Sequence, residues 1–530
     1  MRRLLIPIIL TAGLLPAAAY ADTYTITLSE SLFEGDGEDS GGGVSGGGGL
    51  SGRLMVFFIT EQGGRWGRRS PISGPFFSKP QPIASVAVKD FMPGDSITIE
   101  TWEASFPDDL DTLDGKARIQ AILDIDQTMR SHESGPGNVF SEVVEVELSR
   151  DEDDSIFLVL SQRIEKRDPP ASDSINLQWV EFRSELLSEF YGRDVYHRAG
   201  VAFPLPYFEK KFPAKYWPAI YVIPGYGGRH FGATDYAEMF HNRGIEEVAP
   251  MAVTIVLDPD SPLGHHGFVD SPNHGPRGTA LVTELIPHLE EIYRLVSRPE
   301  ARLVTGHSSG GWSSLWLQLK WPEVFGGCWS TAPDPIDFHA FQMTNVYEDA
   351  NMYTTSDGDE TPSYRRVSGP GGQTRVTMTV RQEGLMEQAM HPDGGSGQQW
   401  DAWEAMFSPR DEETGYPRAM FDGKTGRIDK RVVEHWKQFD ITDMVAEDWE
   451  HYGPIVTNKV RLMCGTLDSF YLNRAVERFK VMVDAKAPDH DGPGYIRLVE
   501  YADHGTLREK VFVNINEEMR AHLRKYDLHD

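Results

Sequence analysis

The sequence predicts two structural units: an all-β sandwich, followed by an α/β unit with a mostly parallel sheet, helices on both of its faces and a helical insertion. Three observations lead there. From Asp22 to about Pro170, short apolar segments of period two alternate with turn clusters. Beyond that point nearly all-apolar strands alternate with amphipathic helical segments, as in a parallel sheet covered on both sides. Within the second part, Arg302 to Gly311 reads as a strand that runs through a Gly-x-Ser-x-Gly box into a helix.

At 530 residues the chain exceeds one ordinary domain. Its 51 Lys and Arg against 80 Asp and Glu leave a net charge of −29, which argues against nucleic acid or an anionic membrane as a partner. Met1-Arg2-Arg3, the apolar run Leu4 to Leu15, Pro16 and the small-residue site Ala19-Tyr20-Ala21 read as a secretory signal over residues 1–21. Export to the periplasm or the outside is therefore expected. That apolar run is too short for a bilayer, no later run is long enough to span one, and no cysteine follows the cleavage site to carry a lipid. Only Cys328 and Cys464 are present, each in or beside an apolar run. Adjacent-strand geometry suits a bridge poorly, so two buried thiols are expected.

In the first unit, residues 22–170, Tyr24, Ile26 and Leu28 alternate, and Leu54 to Ile59 is a solid apolar run. Ile83 to Val88, Ile97 to Thr101, Ile119 to Ile125, Val143 to Leu148 and Ile156 to Leu160 follow. About seven short strands without a helix fit an antiparallel sandwich. The glycine-rich stretch Asp39 to Gly52 lacks the Lys-Ser/Thr pair and following helix of a phosphate loop and reads as a flexible loop. Asp108 to Gly115 is acidic, but its spacing is not that of a calcium loop, and a solvated loop is expected.

The polar, proline-bearing stretch Arg163 to Ser174 marks the boundary to the second unit, residues 171–530. There, Val195 to Phe203, Ala219 to Ile223 and Val253 to Leu257 are predicted strands, and Gly232 to Asn242 and Leu281 to Leu295 predicted helices. After this strand-turn-helix around Gly306 to Gly310, the elbow, come the strands Gly327 to Ala332, Val460 to Cys464 and Tyr495 to Val499, and a C-terminal helix from Arg508 to Lys525. Residues 335–458 form a mainly helical insertion, with Trp400, Trp403, Met406 and Phe407, and then Val432, Val433, Trp436 and Phe439, at helical spacing. It leaves from a strand end on the face where Ser308 emerges, so it is expected to lie over the site as a lid or pocket wall. Its aromatic stripes are read as core.

The chemistry is read from Gly306-His307-Ser308-Ser309-Gly310. The turn between strand and helix is too tight for side chains at 306 and 310, and it pushes the Ser308 oxygen outward as a nucleophile. The backbone N–H of Ser309 faces the developing oxyanion from the helix start. A serine hydroxyl needs a histidine to take its proton and a carboxylate to fix the histidine tautomer. Asp468, just past the Val460 strand, and His504, after the Tyr495 strand, follow Ser308 in the order such a sheet demands. Asp334 is the alternative acid. Asp503 lies too near His504 to orient it easily, His490 precedes the last strand, and His307 is read as packing. A second oxyanion donor is expected from Pro224-Gly225-Tyr226-Gly227-Gly228, at the N–H of Tyr226 or Gly227. His265-His266 offers no evident third metal ligand and reads as a pocket-lining loop.

The chain resembles the esterase branch of the α/β-hydrolases, the group that includes esterase D, enterochelin-type siderophore esterases, feruloyl esterases and the mycolyltransferases. The resemblance rests on Ile223 to Gly228, Gly306 to Gly311, Trp321-Pro322-Glu323-Val324-Phe325, Gly465-Thr466-Leu467-Asp468 and Asp503-His504-Gly505. It covers roughly Phe182 to the C-terminus apart from the insertion. It implies the α/β-hydrolase fold and ester hydrolysis through an acyl-enzyme on Ser308, with no metal or organic cofactor. The implied partner is a small-molecule or polysaccharide-linked ester: plant-wall phenolic or acetyl esters, or a siderophore lactone. The long insertion departs from the common core, so the family's acyl pocket does not carry over. The other readings open at this point are acyl transfer on the same three residues, a serine peptidase, and a non-catalytic glycan-binding protein.

Overall fold

The computed structural model describes residues 22–33, 49–60, 68–75, 79–170, 174–209, 215–241, 249–369 and 371–528. The expected signal, residues 1–21, lies outside the described residues, as does most of the glycine-rich stretch.

In the N-terminal unit nine strands join one sheet, in the order Ser96–Ile99, Thr23–Leu28, Ser155–Arg163, Val139–Ser141, Gly115–Asp124, Leu50–Thr60, Ile83–Phe91 and Ala104–Phe106, with Val144–Leu148 also paired to Gly115–Asp124. The expected antiparallel sandwich is corrected in two respects. The strands are hydrogen-bonded into one sheet rather than two, and Thr23–Leu28 runs parallel to Ser155–Arg163. Two strands of only three residues, Ala104–Phe106 and Val139–Ser141, were too short to announce themselves by periodicity. The unbroken apolar run Leu54 to Ile59 has a physical reason: both of its faces are covered. Leu54, Val56 and Phe58 enter the unit's own core. Met55 and Phe57 instead join Ile72, Ile83 and Ile122 against Met386, Ala389 and Met390 of the insertion. Two hydrogen bonds seal that contact, Ser85 Oγ to the Ala389 carbonyl at 2.6 Å and Arg53 Nε to the Met390 carbonyl at 3.3 Å.

The second unit holds an eight-stranded sheet in the order Leu177–Ser184, Val195–Ala202, Val253–Leu257, Ala219–Ile223, Arg302–His307, Gly327–Thr331, Val460–Gly465 and Tyr495–Val499. From Val253–Leu257 onward all neighbours are parallel; the first two strands are antiparallel. Leu177–Ser184 was not foreseen, because as an edge strand it buries only Leu177, Val180 and Ser184 and shows no clean alternation. Arg302–His307, with partners on both sides, is fully enclosed between Ala219–Ile223 and Gly327–Thr331. Helices lie on both faces, each with its own core, one around Leu303, Trp312 and Trp329 and the other around Tyr221, Val304 and Leu317. Alternate residues of the elbow strand and its helix thus serve opposite layers.

The segment expected as one helix over Leu281 to Leu295 is continuous from Arg277 to Ile292 but widens to a π-turn over Leu281–Leu285. Pro287, which lacks an N–H to donate, follows directly. The expected mainly helical insertion is corrected: Val380–Met390, Gln399–Phe407, Lys430–Trp436, Ile441–Glu447 and Trp449–Lys459 are helices, but turns and loops make up more of it, and Pro362–Val367 and Thr374–Thr379 add a β-hairpin. Its aromatic stripes are core, as read: Trp400, Trp403, Phe407, Trp436 and Phe439 are all buried in one cluster with the elbow helix. Cys328 and Cys464 are buried free thiols. No helix among the described residues is long and apolar enough to cross a membrane.

Candidate active site

The strand Arg302–His307 ends at Ser308, whose backbone sits at φ 61° and ψ −128° before the helix Ser309–Lys320 begins. A serine in that left-handed region costs on the order of 1–3 kcal/mol and persists only where surroundings fix it. They do so here: the Ser308 N–H donates to the Thr331 carbonyl at 3.0 Å, and its carbonyl accepts from the N–H of Trp312 at 3.0 Å. The flanking glycines are steric necessities. A Cβ on Gly306 would lie 2.0 Å from the carbonyl oxygen of Gly310, and one on Gly310 would lie 2.0 Å from that of Ile223.

Asp468 follows the strand Val460–Gly465 and is fully buried. Oδ1 accepts the N–H groups of Phe470 at 2.9 Å and Leu472 at 3.2 Å, which aims Oδ2 at His504. Oδ2 lies 2.7 Å from His504 Nδ1. Beside a carboxylate that nitrogen is the donor, leaving Nε2 free to accept. His504 is the first residue of the C-terminal helix, which starts at 504 rather than at the expected 508 because Asp503 and Thr506 form a capping box. Burial disfavours the charged imidazole, but the charge and hydrogen bond of Asp468 outweigh it and hold His504 above its ordinary 6.5. The rings of His307 and Phe470 pack on it at 4.4 Å and 4.9 Å. His307, held to Thr331 Oγ1 at 3.0 Å, is lowered to about 2, mainly by burial, so it packs as a neutral ring.

Ser308 and His504 line one cavity of about 1050 Å³, walled by the Pro224–Gly228 turn, the C-terminal helix and the insertion residues Tyr364, Arg366, Glu383 and Trp403. The lid expectation is met in that respect. Among the described residues no hydrogen bond joins the Ser308 hydroxyl to His504; such contacts are commonly loose until substrate is bound. The Pro224–Gly228 turn lies against the serine, since a Cβ on Gly225 would sit 3.2 Å from Ser308 Cβ.

Asp334, the alternative acid, is buried but turned elsewhere. Its Oδ2 accepts Ser309 Oγ and Trp403 Nε1, both at 2.7 Å. Asp503 caps the helix, and His490 is exposed on its turn. The His265-His266 loop is corrected: neither imidazole lines the cavity. His265 instead braces the Pro224–Gly228 turn from behind, Nε2 to the Pro224 carbonyl at 2.9 Å, while Nδ1 accepts the Gly267 N–H at 3.1 Å. Burial lowers it to about 4, so it is neutral and donates from Nε2.

One further support gave no sequence signal, because it acts across a long gap in the chain. Arg365, on the insertion hairpin, donates through Nε to the Asp468 carbonyl at 2.9 Å and through Nη2 to Asn473 Oδ1 at 3.2 Å, with its guanidinium 4.4 Å from the Tyr471 ring centroid. Trp403, read only as core, also lines the cavity. Away from the site, Asp337, His339 and Asp440 bring three possible metal ligands together. Their atoms are already engaged: His339 Nδ1 and Arg478 Nε on Asp337, and the Phe338 N–H and Tyr347 hydroxyl on Asp440.

Residues 195–487 match the model of the family described as putative esterase, which is more than half of the chain. The chain belongs to that family. It is a carboxylic-ester hydrolase on an α/β-hydrolase fold. No curated protein matches it. Among solved structures, a ferulic acid esterase is 12% identical with a TM-score of 0.38, the alignment covering 65% of this chain and 98% of that one. An S-formylglutathione hydrolase from Agrobacterium tumefaciens is 14% identical with a TM-score of 0.35, covering 66% and 94%. The enterobactin esterase from Shigella flexneri is 13% identical with a TM-score of 0.34, covering 90% of this chain and 91% of its own.

Proposed function

We propose that this esterase works through an acyl-enzyme on Ser308, with His504 as general acid and base and Asp468 as the group that orients it. The observation that carries this reading is the buried Asp468 Oδ2 to His504 Nδ1 contact of 2.7 Å beside the cavity into which Ser308 opens. In the first half-reaction Ser308 Oγ attacks the ester carbonyl carbon as His504 Nε2 takes its proton. The carbon–oxygen bond to the alcohol then breaks, and the alcohol leaves with that proton. Water repeats the sequence in reverse roles and releases the acid. The negative charge on the carbonyl oxygen is met by the N–H of Ser309, at the helix start, and by the N–H of Tyr226 or Gly227.

The cavity of about 1050 Å³ has room for an aromatic acyl group or a sugar-linked ester. Its polar walls, Arg366, Glu383 and Gln342, suit a substrate bearing hydroxyl groups. Export is part of the proposal and rests on the basic start, apolar run and small-residue site of residues 1–21. A two-unit division near residue 170 belongs to it as well. The test is turnover of an ester panel (short p-nitrophenyl, feruloyl, acetyl-xylan and siderophore-lactone substrates) by the full chain and by Ser308→Ala. The proposal expects hydrolysis that Ser308→Ala abolishes. Product carried to an added alcohol in preference to water would make the protein a transferase, and no turnover of any ester would remove the reading.

A further inference from the structure

Arg130 belongs to the loop after the strand Gly115–Asp124 in the N-terminal sheet, yet its side chain ends in the second unit. Nη1 donates to the phenolic oxygen of Tyr226 at 2.9 Å, and the guanidinium carbon stands 4.6 Å from the Tyr226 ring centroid. Its Nε faces Asp260 Oδ1 at 3.7 Å, and its backbone N–H meets Asp260 Oδ2 at 3.4 Å. With a side chain only 17% exposed, Arg130 is held at its stem as well as at its tip. The phenol has a second set of partners, the Gly397 carbonyl and Gln398 Oε1 of the insertion, both at 3.0 Å. Gly397 itself marks how closely the arginine passes. Its backbone is left-handed at φ 64°, and a Cβ there would lie 2.7 Å from Arg130 Cγ. The β unit, the core sheet and the insertion therefore meet on one tyrosine hydroxyl.

That tyrosine sits in the turn that faces Ser308. Its ring is anchored at the far end while its N–H belongs to the turn, so the anchor restrains the turn from its side-chain end. A charged donor on a phenol in a water-poor site is a stronger tether than a neutral one. We infer that Arg130 is a positioning residue which, through the Tyr226 hydroxyl, holds the oxyanion turn in register with Ser308. The N-terminal β unit is thereby a component of the active site and not an independent binding module. This inference rests on the acyl-enzyme reading of Ser308.

The test uses the full chain with Arg130→Ala, Arg130→Lys, Tyr226→Phe and the double variant Arg130→Ala/Tyr226→Phe. Steady-state hydrolysis of p-nitrophenyl acetate, inhibition by a boronic acid that becomes tetrahedral on the serine, and thermal melting are read for each. Loss of a whole oxyanion donor costs about 10²–10³ in kcat, so a donor displaced but still present predicts a drop of about tenfold for Arg130→Ala and for Tyr226→Phe. Boronate affinity falls in parallel, KM stays within about twofold, and the double variant is no worse than either single one, because both changes cut the same tether. Arg130→Lys, which keeps the charge but not the fork, recovers part of the loss. A kcat and boronate affinity kept within about twofold in Arg130→Ala, or losses that multiply in the double variant, overturns the inference. If Arg130→Ala does not fold, Tyr226→Phe decides alone, and wild-type kcat in that variant overturns it. Failure of the wild type itself to hydrolyse esters, or turnover that survives Ser308→Ala, is a different result: it removes the acyl-enzyme reading and this inference together.

Discussion

Replacing Asp468 by Asn separates the orienting role proposed for this carboxylate from every other feature of the site. Oδ1 already accepts two backbone N–H groups, from Phe470 and Leu472, so the asparagine oxygen keeps that side and the amide nitrogen takes the place of Oδ2. A donor then faces His504 Nδ1 across what is now a 2.7 Å contact. The imidazole escapes the clash by moving its proton to Nε2, the nitrogen that must accept from Ser308. A wrong tautomer of this kind costs about 10⁴ in kcat, roughly 5 kcal/mol of barrier, with little effect on KM. The pH profile supplies an independent sign. On the proposed mechanism the neutral imidazole is the base, so activity is lost as pH falls through the His504 pKa, which Asp468 holds above 6.5. Without that carboxylate burial prevails, and the acidic limb moves to lower pH. Asp334→Asn is the control. Its oxygen can still accept from Ser309 and Trp403, so less than about a tenfold loss is expected. Stopped-flow and steady-state hydrolysis of a p-nitrophenyl ester between pH 5 and 9 reads all of this. An Asp468→Asn enzyme within about tenfold of wild type, or an Asp334→Asn enzyme down by about 10⁴, would refute the assignment of the acid.

Three further outcomes are expected. Arg365→Ala removes the side-chain bond to the Asp468 carbonyl, and kcat is expected to fall by about tenfold with KM nearly unchanged; a loss of melting temperature with full kcat would show the arginine to be structural only. Glu383, buried against Trp400 Nε1, is raised to about 7, chiefly by burial. A carboxyl whose folded pKa exceeds its unfolded value binds more protons when folded, so stability is lost as pH climbs from the unfolded value of 4.5 toward 7. Glu383→Gln, which keeps the acceptor, is therefore expected to melt higher than wild type at pH 8 and level with it at pH 4, and no pH-dependent difference in calorimetry would count against it. Gly310→Ala places a methyl 2.0 Å from the Ile223 carbonyl and is expected to destabilise by roughly 3 kcal/mol or more, read as a lowered denaturant midpoint or insoluble protein; a melting temperature equal to wild type would contradict that steric account.

The α/β unit was legible because its signals are local. Gly306 and Gly310 flank a strained turn, apolar strands alternate with helices, and Asp468 and His504 each stand just past a strand end, so their convergence follows from a parallel sheet. The structure brings Asp468 onto His504, and His504, Tyr226 and Gly227 to the cavity of Ser308, from which the helix starting at Ser309 leads away. What stayed hidden is contact between distant segments. Arg130 reaches Tyr226 across 96 residues and Arg365 reaches Asp468 across 103, and neither arginine differs in composition or spacing from a solvated one. The same blindness explains the β unit. Period two shows which residues point inward, but not whether strands close into one sheet or two, which depends on pairings between distant segments such as Thr23–Leu28 with Ser155–Arg163. His265 was misplaced because a buried neutral imidazole bonded to a carbonyl has no sequence mark that tells it from a pocket residue.

Mapping the adduct of a fluorophosphonate probe by mass spectrometry tests the central claim most directly, since the probe bonds only to a serine activated by its neighbours. A single stoichiometric adduct on the peptide containing Ser308, lost in Ser308→Ala and slowed in His504→Ala, is the result expected. An adduct on another residue, or none on protein that hydrolyses esters, would place the reaction elsewhere in the molecule.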